Sequence, residues 1–538
     1  MLKGFTISNF KSFNYDASGL KHSLTMLKGT SRSKANHVLD NNILKIAVLF
    51  GSNAAGKSNF IDGMRVVKKI ITGNDAIESI SDAYCRNYDV NRNRPVTFTF
   101  QIEVDMDRFT PSSNTSSNGP YEYHPDQSCT RIPFEYEIEL SFRYSDTPRI
   151  TKETIYDANG EIVILRTSPE NLNDVNVDID LLYKERTKLV EYRRKLAKET
   201  ETLSPEHTGT YVDEANLVLN LMRTEKDPLK EEKEWVEKEI SEYDSRIATA
   251  QKSLSNARNR SSFITPDPSI ENLRENCELS DNITSSQLVS IIKSIYHWFD
   301  YTLEIIDPYG FVIPELDTDS FEQLSAIIRE FDVNIRDVRW SSVNDEKEKK
   351  EIIDNLRYRD LERIEECRRI SVSSKMECSV IVGDITAIYR FAFWHGEPSI
   401  KKLITIHDDG TSHDLIEESD GTCRLIELSS ILLEPRTDKV YVVDELDRRL
   451  HPVLTRRFIE LYLEDITEGS KKRQLIVTTH ETRLLTTELF RIDEIWFIEH
   501  DGAGCSNITG ALEKGVTFNK HLDRIYLEDK TLGGVPRI

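Results

Sequence analysis

The sequence predicts an α/β architecture whose head is assembled from the N- and C-terminal segments of the chain, with an antiparallel helical (coiled-coil) hairpin inserted between them. Three observations predict it. Near the start, the apolar run Ile46-Ala-Val-Leu-Phe50 fits a buried parallel strand and leads through a glycine-punctuated turn into a helical pattern. Near the other end, Val440-Tyr-Val-Val443 and Gln474-Leu-Ile-Val-Thr-Thr479 are two more short apolar runs rich in β-formers. Between the two ends the chain turns charged and helical, with a heptad seam.

Each part of that outline has its own signal. Val96-Thr-Phe-Thr-Phe-Gln-Ile-Glu-Val104 and Phe134-Glu-Tyr-Glu-Ile-Glu-Leu-Ser-Phe142 alternate with period two, as half-buried antiparallel strands do. A Ser/Asn/Pro-rich stretch near 111–128 separates them and reads as a loop. From about 176 to 258, Val236, Ile240, Tyr243, Ile247, Ala250, Leu254 and Ala257 recur at alternating spacings of four and three. Leu182, Leu189, Leu196 and Leu203 recur every seven residues, with polar Arg186, Arg193 and Thr200 between them. Pro205 ends the first arm, and Asp227-Pro228 opens the second as N-cap and first helical residue. The expectation is a hairpin with its tip near 205–228 and arms of roughly 43 Å at 1.5 Å per residue. Residues 263–345 look mixed, a second charged helix is expected from Asn344 to about Arg369, and strands and helices alternate from Ser379 onward. The expected divisions are 1–170, 171–262, 263–374 and 375–538, closed by a loop tail.

Composition narrows the class of protein. The chain has 538 residues, enough for two or three structural units. No apolar run approaches the eighteen or so residues of a membrane span, and the start lacks a signal peptide's apolar stretch, so a cytoplasmic protein without membrane contact is expected. A net charge of -22 argues against indiscriminate coating of nucleic acid, but not against a local basic patch. The seven cysteines are odd in number and contain no CxxC pair, which points to reduced thiols rather than zinc or disulfides.

The chemistry is concentrated in a few short motifs. Gly51-Ser-Asn-Ala-Ala-Gly-Lys-Ser58 fits GxxxxGK[ST] between a strand and a helix. Its glycines let the backbone wrap phosphates, so that the N–H groups of Gly51, Ser52, Asn53, Ala54, Ala55 and Gly56, with Asn59 just beyond, face the nucleotide. Lys57 would contact the β- and γ-phosphates and Ser58 would ligate Mg²⁺. Asp444 and Glu445 end a strand at its C-terminal side, where α/β ligands bind. Asp444 is the candidate for the Mg²⁺ shell and Glu445 the candidate general base. His480 ends the next apolar strand, where a sensor of the γ-phosphate is wanted; His480-Glu-Thr-Arg-Leu is not HExxH, which rules out a zinc-protease reading. Glu418-Ser-Asp-Gly-Thr422 precedes an apolar-patterned helix and forms a second phosphate-facing nest. The economical use of that nest is across a dimer, with Ser419 and Gly421 of one chain closing on ATP held by the other.

Together these motifs resemble the ABC-type ATPases of the SMC/RecF/OLD group. Ile7-Ser-Asn-Phe-Lys-Ser-Phe13 is similar to that group's first strand and turn, Gly51–Ser58 to its Walker A, Glu418–Thr422 to its signature, Val440–Glu445 to its Walker B, Leu446-Asp-Arg-Arg-Leu-His-Pro452 to its D-loop, and His480 to its switch histidine. Asp420 and Thr422 depart from the Gly and Gln that many signatures carry there, and Gln101 is the nearest candidate for a Q-loop glutamine. Only about 58 residues follow His480, too few for the Toprim nuclease domain of OLD proteins. More narrowly, the signature, the Asp444–Pro452 run and the Val477-Thr-Thr-His-Glu481 strand resemble the ATPases of bacterial anti-phage systems, namely Septu (also found with some retrons) and PARIS. His297-Trp-Phe-Asp300 and the ending from Tyr526-Leu527 to Pro536 are similar as well.

What the resemblance implies is a Mg-ATP-dependent ATPase, dimeric through its heads or more highly oligomeric, that scaffolds a separately encoded effector nuclease or toxin. Two other outputs compete: a repair or recombination ATPase acting directly on DNA, and a low-turnover ATP-gated scaffold. The basic clusters at 193–195, 347–350 and 471–473 read as solvated helix faces. The first, on the hairpin arm, is the best candidate contact for DNA, RNA or msDNA.

Overall fold

The computed structural model describes residues 1–16, 22–31, 33–73, 83–86, 89–106, 109–111, 121–123, 131–142, 148–167, 186–190, 192, 236–245, 262–266, 268–308, 318–331, 334–356, 358–374, 377–383, 387–433, 438–464, 472–501, 503–516 and 522–528. In chain order its strands are β1 (Leu2–Ser8), β2 (Ser23–Thr25), β3 (Ile46–Phe50), β4 (Val96–Asp105), β5 (Phe109–Pro111), β6 (Tyr121–Tyr123), β7 (Arg131–Ser141), β8 (Arg149–Tyr156), β9 (Ile162–Thr167), β10 (Glu278–Leu279), β11 (Leu303–Ile306), β12 (Ile335–Ser342), β13 (Cys378–Gly383), β14 (Ile388–Trp394), β15 (Glu397–His407), β16 (Ser412–Asp414), β17 (Val440–Val443), β18 (Gln474–Thr479), β19 (Ile495–His500) and β20 (Ser506–Gly510). The chain divides into two compact units. One contains residues 1–148, 153–166 and 261–538; the other contains 149–152 and 167–260.

In the larger unit, the sheet that positions the site has the order β11-β17-β18-β3-β19-β20. Every pairing in it is parallel except β19 with β20. All residues of β3, β17 and β18 are buried, which is why they read as unbroken apolar runs. Helix α1 (Lys57–Ile71) follows β3 and buries Phe60, Ile61, Met64, Val67, Ile70 and Ile71 at helical spacing.

A seven-stranded sheet has the order β10-β9-β8-β7-β4-β1-β2. The period-two reading holds where β4 meets β7: Phe98 faces Ile138 and Phe100 faces Tyr136, all four fully buried. Gln101 lies in the middle of β4, where its amide donates to Glu135 at 2.9 Å. Phe5 on β1 packs edge-on against Phe60 of α1, joining this sheet to the helix after the phosphate loop.

The middle of the chain is more ordered than its sequence suggests. It supplies α2 (Ile270–Asn276), α3 (Ser285–His297), β11 and α4 (Thr318–Arg329). Strand β11 forms the edge of the parallel sheet beside β17. Ile306, Leu324, Ile327 and Ile328 share one core with β3, β17, β18 and the helices of the C-terminal segment. The charged helix expected over 344–369 is two helices, α5 (Glu346–Asn355) and α6 (Tyr358–Ser374). The break falls at Leu356, whose backbone is extended. Beyond it the chain does not yet alternate strands and helices. Strands β13 to β16 join the earlier β12 in an antiparallel meander of order β12-β15-β14-β13, with β16 on β15. Alternation begins only with α7 (Asp420–Leu433), β17, α8 (Pro452–Glu464) and β18.

In the smaller unit, helical stretches are described at 186–190 and 236–245. Leu189 and Val190 pack on buried Val236 and Ile240, and Arg186 pairs with Asp244 at 2.5 Å. The expected hairpin tip, the Pro205 and Asp227-Pro228 signals and the basic cluster at 193–195 lie outside the described residues, as does the tail beyond 528. Among the described residues no helix is long and apolar enough to cross a membrane.

Candidate functional site

Strands β3, β18 and β17 lie side by side and parallel, so the residues that follow each of them emerge at one edge of the sheet. After β3 comes the loop 51–56; after β17 come Asp444 and Glu445; after β18 comes His480. Chain direction alone therefore gathers three motifs that are far apart in sequence.

The loop is held in a shape that requires glycine. Gly56 has φ +106°, and a Cβ there would fall 2.2 Å from the Ser506 hydroxyl and 2.7 Å from that of Ser12. Those two hydroxyls are 2.8 Å apart, and Ser506 also donates to the Ala55 carbonyl at 2.6 Å. The Asn59 amide donates to Ser12 at 2.8 Å. Lys57 is the first residue of α1 and is 8% exposed. Its ammonium donates to the carbonyls of Gly51, at 2.7 Å, and Ser52, at 3.0 Å. Burial lowers its pKa below the ordinary lysine value, and the fields of Asp447, Asp444 and Glu445 oppose that shift. Ser58 is exposed at the helix start.

One hydroxyl organises the acidic pair. Thr478, fully buried in β18, donates to Asp444 Oδ1 at 2.6 Å and accepts the Glu445 backbone N–H at 2.7 Å. Asp444 is 3% exposed. Glu445 has φ +50°, a left-handed conformation unusual for a residue with a side chain. It is held there by the Thr478 bridge and by the Leu446 N–H bonded to the Thr478 carbonyl at 3.0 Å. The partly exposed Glu445 carboxylate is 3.3 Å from Arg448.

His480 is half exposed, and its Nδ1 lies 2.9 Å from Oδ2 of buried Asp447. A carboxylate accepts only, so this contact places the proton on Nδ1 and leaves Nε2 to face another group. The other Asp447 oxygen, Oδ1, is buried without a hydrogen-bond partner among the described residues.

At the start of α7, Ser419 accepts the Thr422 N–H at 3.1 Å, the pattern of a helix N-cap. Gly421 lies against the backbone of the turn after β17, where a Cβ would meet the Arg449 carbonyl at 2.8 Å. Arg449 pairs with Asp420 at 3.4 Å, and Glu418 accepts from His407 at 2.7 Å. Ser419 itself is exposed.

Lys57, Asp444, Glu445 and His480 thus share one sheet edge, whereas Ser419 and Gly421 belong to a separate helix start that touches it through the Arg449 turn. Sequence reasoning missed Thr478, Asp447, Ser12 and Ser506. Asp447 and Thr478 lie within the quoted motifs and could have been flagged as polar residues beside candidate catalytic ones. Ser12 lies within the quoted Ile7–Phe13 run, whereas Ser506 had no linear signal, since only the fold brings residue 506 to the phosphate loop.

The oxygen-rich donor set suits Mg²⁺. Asp444 offers a buried carboxylate and Ser58 an exposed hydroxyl, in keeping with an ion that takes one or two protein oxygens and fills its remaining positions from substrate and water. Among the described residues there is no cluster of three or more His, Cys, Asp or Glu side chains that would cage a metal alone.

A family profile described as "AAA domain, putative AbiEii toxin, Type IV TA system" matches residues 198–486, more than half of the chain. The match includes 418–422, Asp444, Glu445 and His480; the loop 51–58 lies before it. No curated protein matches the chain. Among solved structures, the Smc head domain with an extended coiled coil bound to the C-terminal domain of ScpA, from Pyrococcus furiosus, is 15% identical. It covers 96% of this chain and 97% of its own, with a TM-score of 0.35. The SMC head domain from Thermotoga maritima is 14% identical over 95% and 98%, with a TM-score of 0.29. Both superpositions are loose.

Proposed function

Since the chain belongs to that AAA-domain family, we propose that it binds and hydrolyses Mg-ATP with an ABC-type, SMC-like head and works in a bacterial anti-phage defence system. The observation that carries the hydrolytic reading is the convergence of Lys57, Asp444, Glu445 and His480 at the ends of three adjacent parallel strands.

In this reading the N–H groups of the 51–56 loop wrap the phosphates and Lys57 turns its ammonium from the loop carbonyls toward the β- and γ-phosphates. Ser58 and Asp444 hold Mg²⁺, which when bound neutralises phosphate oxygens. Glu445 takes a proton from the attacking water, and the left-handed turn fixed by Thr478 aims its carboxylate. His480, oriented through Nδ1 by Asp447, turns Nε2 toward the γ-phosphate. Ser419 and Gly421 of a second copy complete the site, so that ATP closes two heads and hydrolysis parts them.

The defence setting is supported by the family's description, which names a toxin of a type IV toxin–antitoxin system. By its resemblance to the ATPases of anti-phage systems, the chain would scaffold a separately encoded nuclease or toxin. The test is a pull-down of tagged Glu445→Gln protein from its native host with ATP present. A nuclease, toxin or reverse transcriptase recovered in fixed ratio is the expected result. Recovery of DNA or repair factors alone would replace the defence reading with a DNA-transaction ATPase.

A further inference from the structure

The antiparallel meander carries a feature that nucleotide chemistry does not use. Cys367, on α6, and Cys378, the first residue of β13, come together with their sulfurs 2.8 Å apart, Cys367 donating its S–H to Cys378. A disulfide bond is about 2.05 Å long, so less than 1 Å of approach separates this contact from a covalent bond. The two cysteines sit on different elements and neither is in a disulfide. They are also unequally exposed: Cys367 is 5% exposed and part of the meander's own core, with Val380, Val382, Phe391 and Phe393, whereas Cys378 is partly open to solvent. That asymmetry suits a two-step oxidation, in which one sulfur meets the oxidant and the other resolves it.

We propose that Cys367 and Cys378 are a reversible oxidation site that forms an intramolecular disulfide with hydrogen peroxide as the two-electron oxidant. The Cys378 sulfur attacks one peroxide oxygen; an S–O bond forms, the O–O bond breaks, and water leaves once the departing hydroxide is protonated. The Cys367 sulfur then attacks the Cys378 sulfenic acid; the S–S bond forms and a second water leaves. Two thiols and one peroxide yield one disulfide and two waters. A dithiol reductant reverses the step by exchange.

The bond would staple α6 to β13, the edge strand of the meander. Helix α6 is already tied to the neighbouring strand β14 by the Ser371 hydroxyl, which donates to the carbonyl of Phe393, the register partner of Cys378, at 3.0 Å. The cross-link therefore fits the existing packing, and its expected effect is local: slower hydrogen exchange across α6 and β13. It does not depend on the nucleotide site, so its failure would leave the ATPase reading standing, and the reverse.

The experiment is peroxide treatment of the full chain, alkylation of the remaining thiols, and peptide mass spectrometry with and without prior dithiothreitol. The expected result is a Cys367–Cys378 cross-linked peptide, lighter by two hydrogens than its separate halves, that disappears with dithiothreitol. Cys277 is an internal control: it is partly exposed too, but burial pushes its thiol up to about 11, so it should escape the peroxide and be alkylated once the chain is unfolded in denaturant. Cys367→Ser and Cys378→Ser should each abolish the cross-link. Full alkylation of both cysteines after peroxide, or oxidation of Cys378 to sulfinic acid without a cross-link, would overturn the proposal. Because the decisive measurement is on the unmutated chain, it does not depend on either variant folding.

Discussion

Replacing Thr478 by valine keeps the shape of a fully buried side chain and removes one oxygen. That oxygen serves two partners at once, Asp444 Oδ1 at 2.6 Å and the Glu445 N–H at 2.7 Å. Each partner is then left buried without its hydrogen bond, at a cost of about 1–3 kcal/mol. The fold should lose about 2–6 kcal/mol, with the upper part of the range reached if water cannot enter. Activity should fall further than stability alone explains. Glu445 is held at φ +50° largely through this bridge, and a displacement of about 1 Å at a reacting centre costs on the order of 10²-fold. The assay is steady-state phosphate release beside denaturant unfolding, for Thr478→Val and Thr478→Ser. Serine keeps the hydroxyl and should recover most of the turnover. If the valine variant turns over within about twofold of the unmutated chain, Thr478 does not position the acidic pair and the account of Glu445 is wrong.

Two further predictions concern Lys57 and Glu445. Lys57→Met should raise the melting temperature of the nucleotide-free protein and abolish its rise on adding ATP. Burial lowers the Lys57 pKa, so the fold penalises the charged form; at neutral pH that penalty is in force, and it fades only as pH rises through the lowered pKa toward the unfolded value. Thermal melts with and without nucleotide, repeated with rising pH, check both signs, and the gain from methionine should shrink as the pH rises. Glu445→Gln should keep ATP binding and lose about 10²–10⁴ in turnover, as expected for a missing general base; a single-turnover assay that finds the unmutated rate would remove Glu445 from that role.

Much of this was legible because linear patterns and chain direction agree. The Ile46–Phe50 run, the 51–58 loop and the helix after it needed no tertiary information, and neither did the Val440–Val443 and Gln474–Thr479 runs. Strand β11 was missed because Leu303-Glu-Ile-Ile306 is only four residues long and carries a partly buried glutamate, so it shows neither alternation nor an unbroken apolar run. In the meander, by contrast, the signal was present. Phe391 and Phe393, and Val380 and Val382, alternate with period two and are buried, yet the expectation of an α/β layer from Ser379 onward overrode the pattern. In the site, a motif identifies what binds but not what holds the binder. Thr478 reads as one more β-branched strand residue until the register of β17 against β18 sets it beside Asp444.

The charges of the site make a further demand on any nucleotide that enters it. Lys57 is one cation set among the fields of three carboxylates, Asp447, Asp444 and Glu445. A triphosphate adds about four more negative charges, and two like charges 4 Å apart repel by about 4 kcal/mol at an effective dielectric of 20. The loop N–H groups and the start of α1 offset part of that, since a helix N-terminus is worth roughly 0.3–1 kcal/mol to an anion, up to about 2 when partly buried. Lys57 offsets about one of the three carboxylates, so a divalent cation entering with the nucleotide strengthens its binding. Chelation with EDTA should therefore weaken ATP binding by at least about tenfold, since tenfold is only 1.4 kcal/mol. The variant Asp444→Asn should narrow the difference between the two conditions by removing both a ligand of the cation and a charge that repels the phosphates. Calorimetric titration of the Glu445→Gln protein, which should not consume the nucleotide, measures this directly. Equal affinity with and without the chelator would mean that the carboxylates face away from the phosphates, and the assignment of Asp444 to the metal would fall with it.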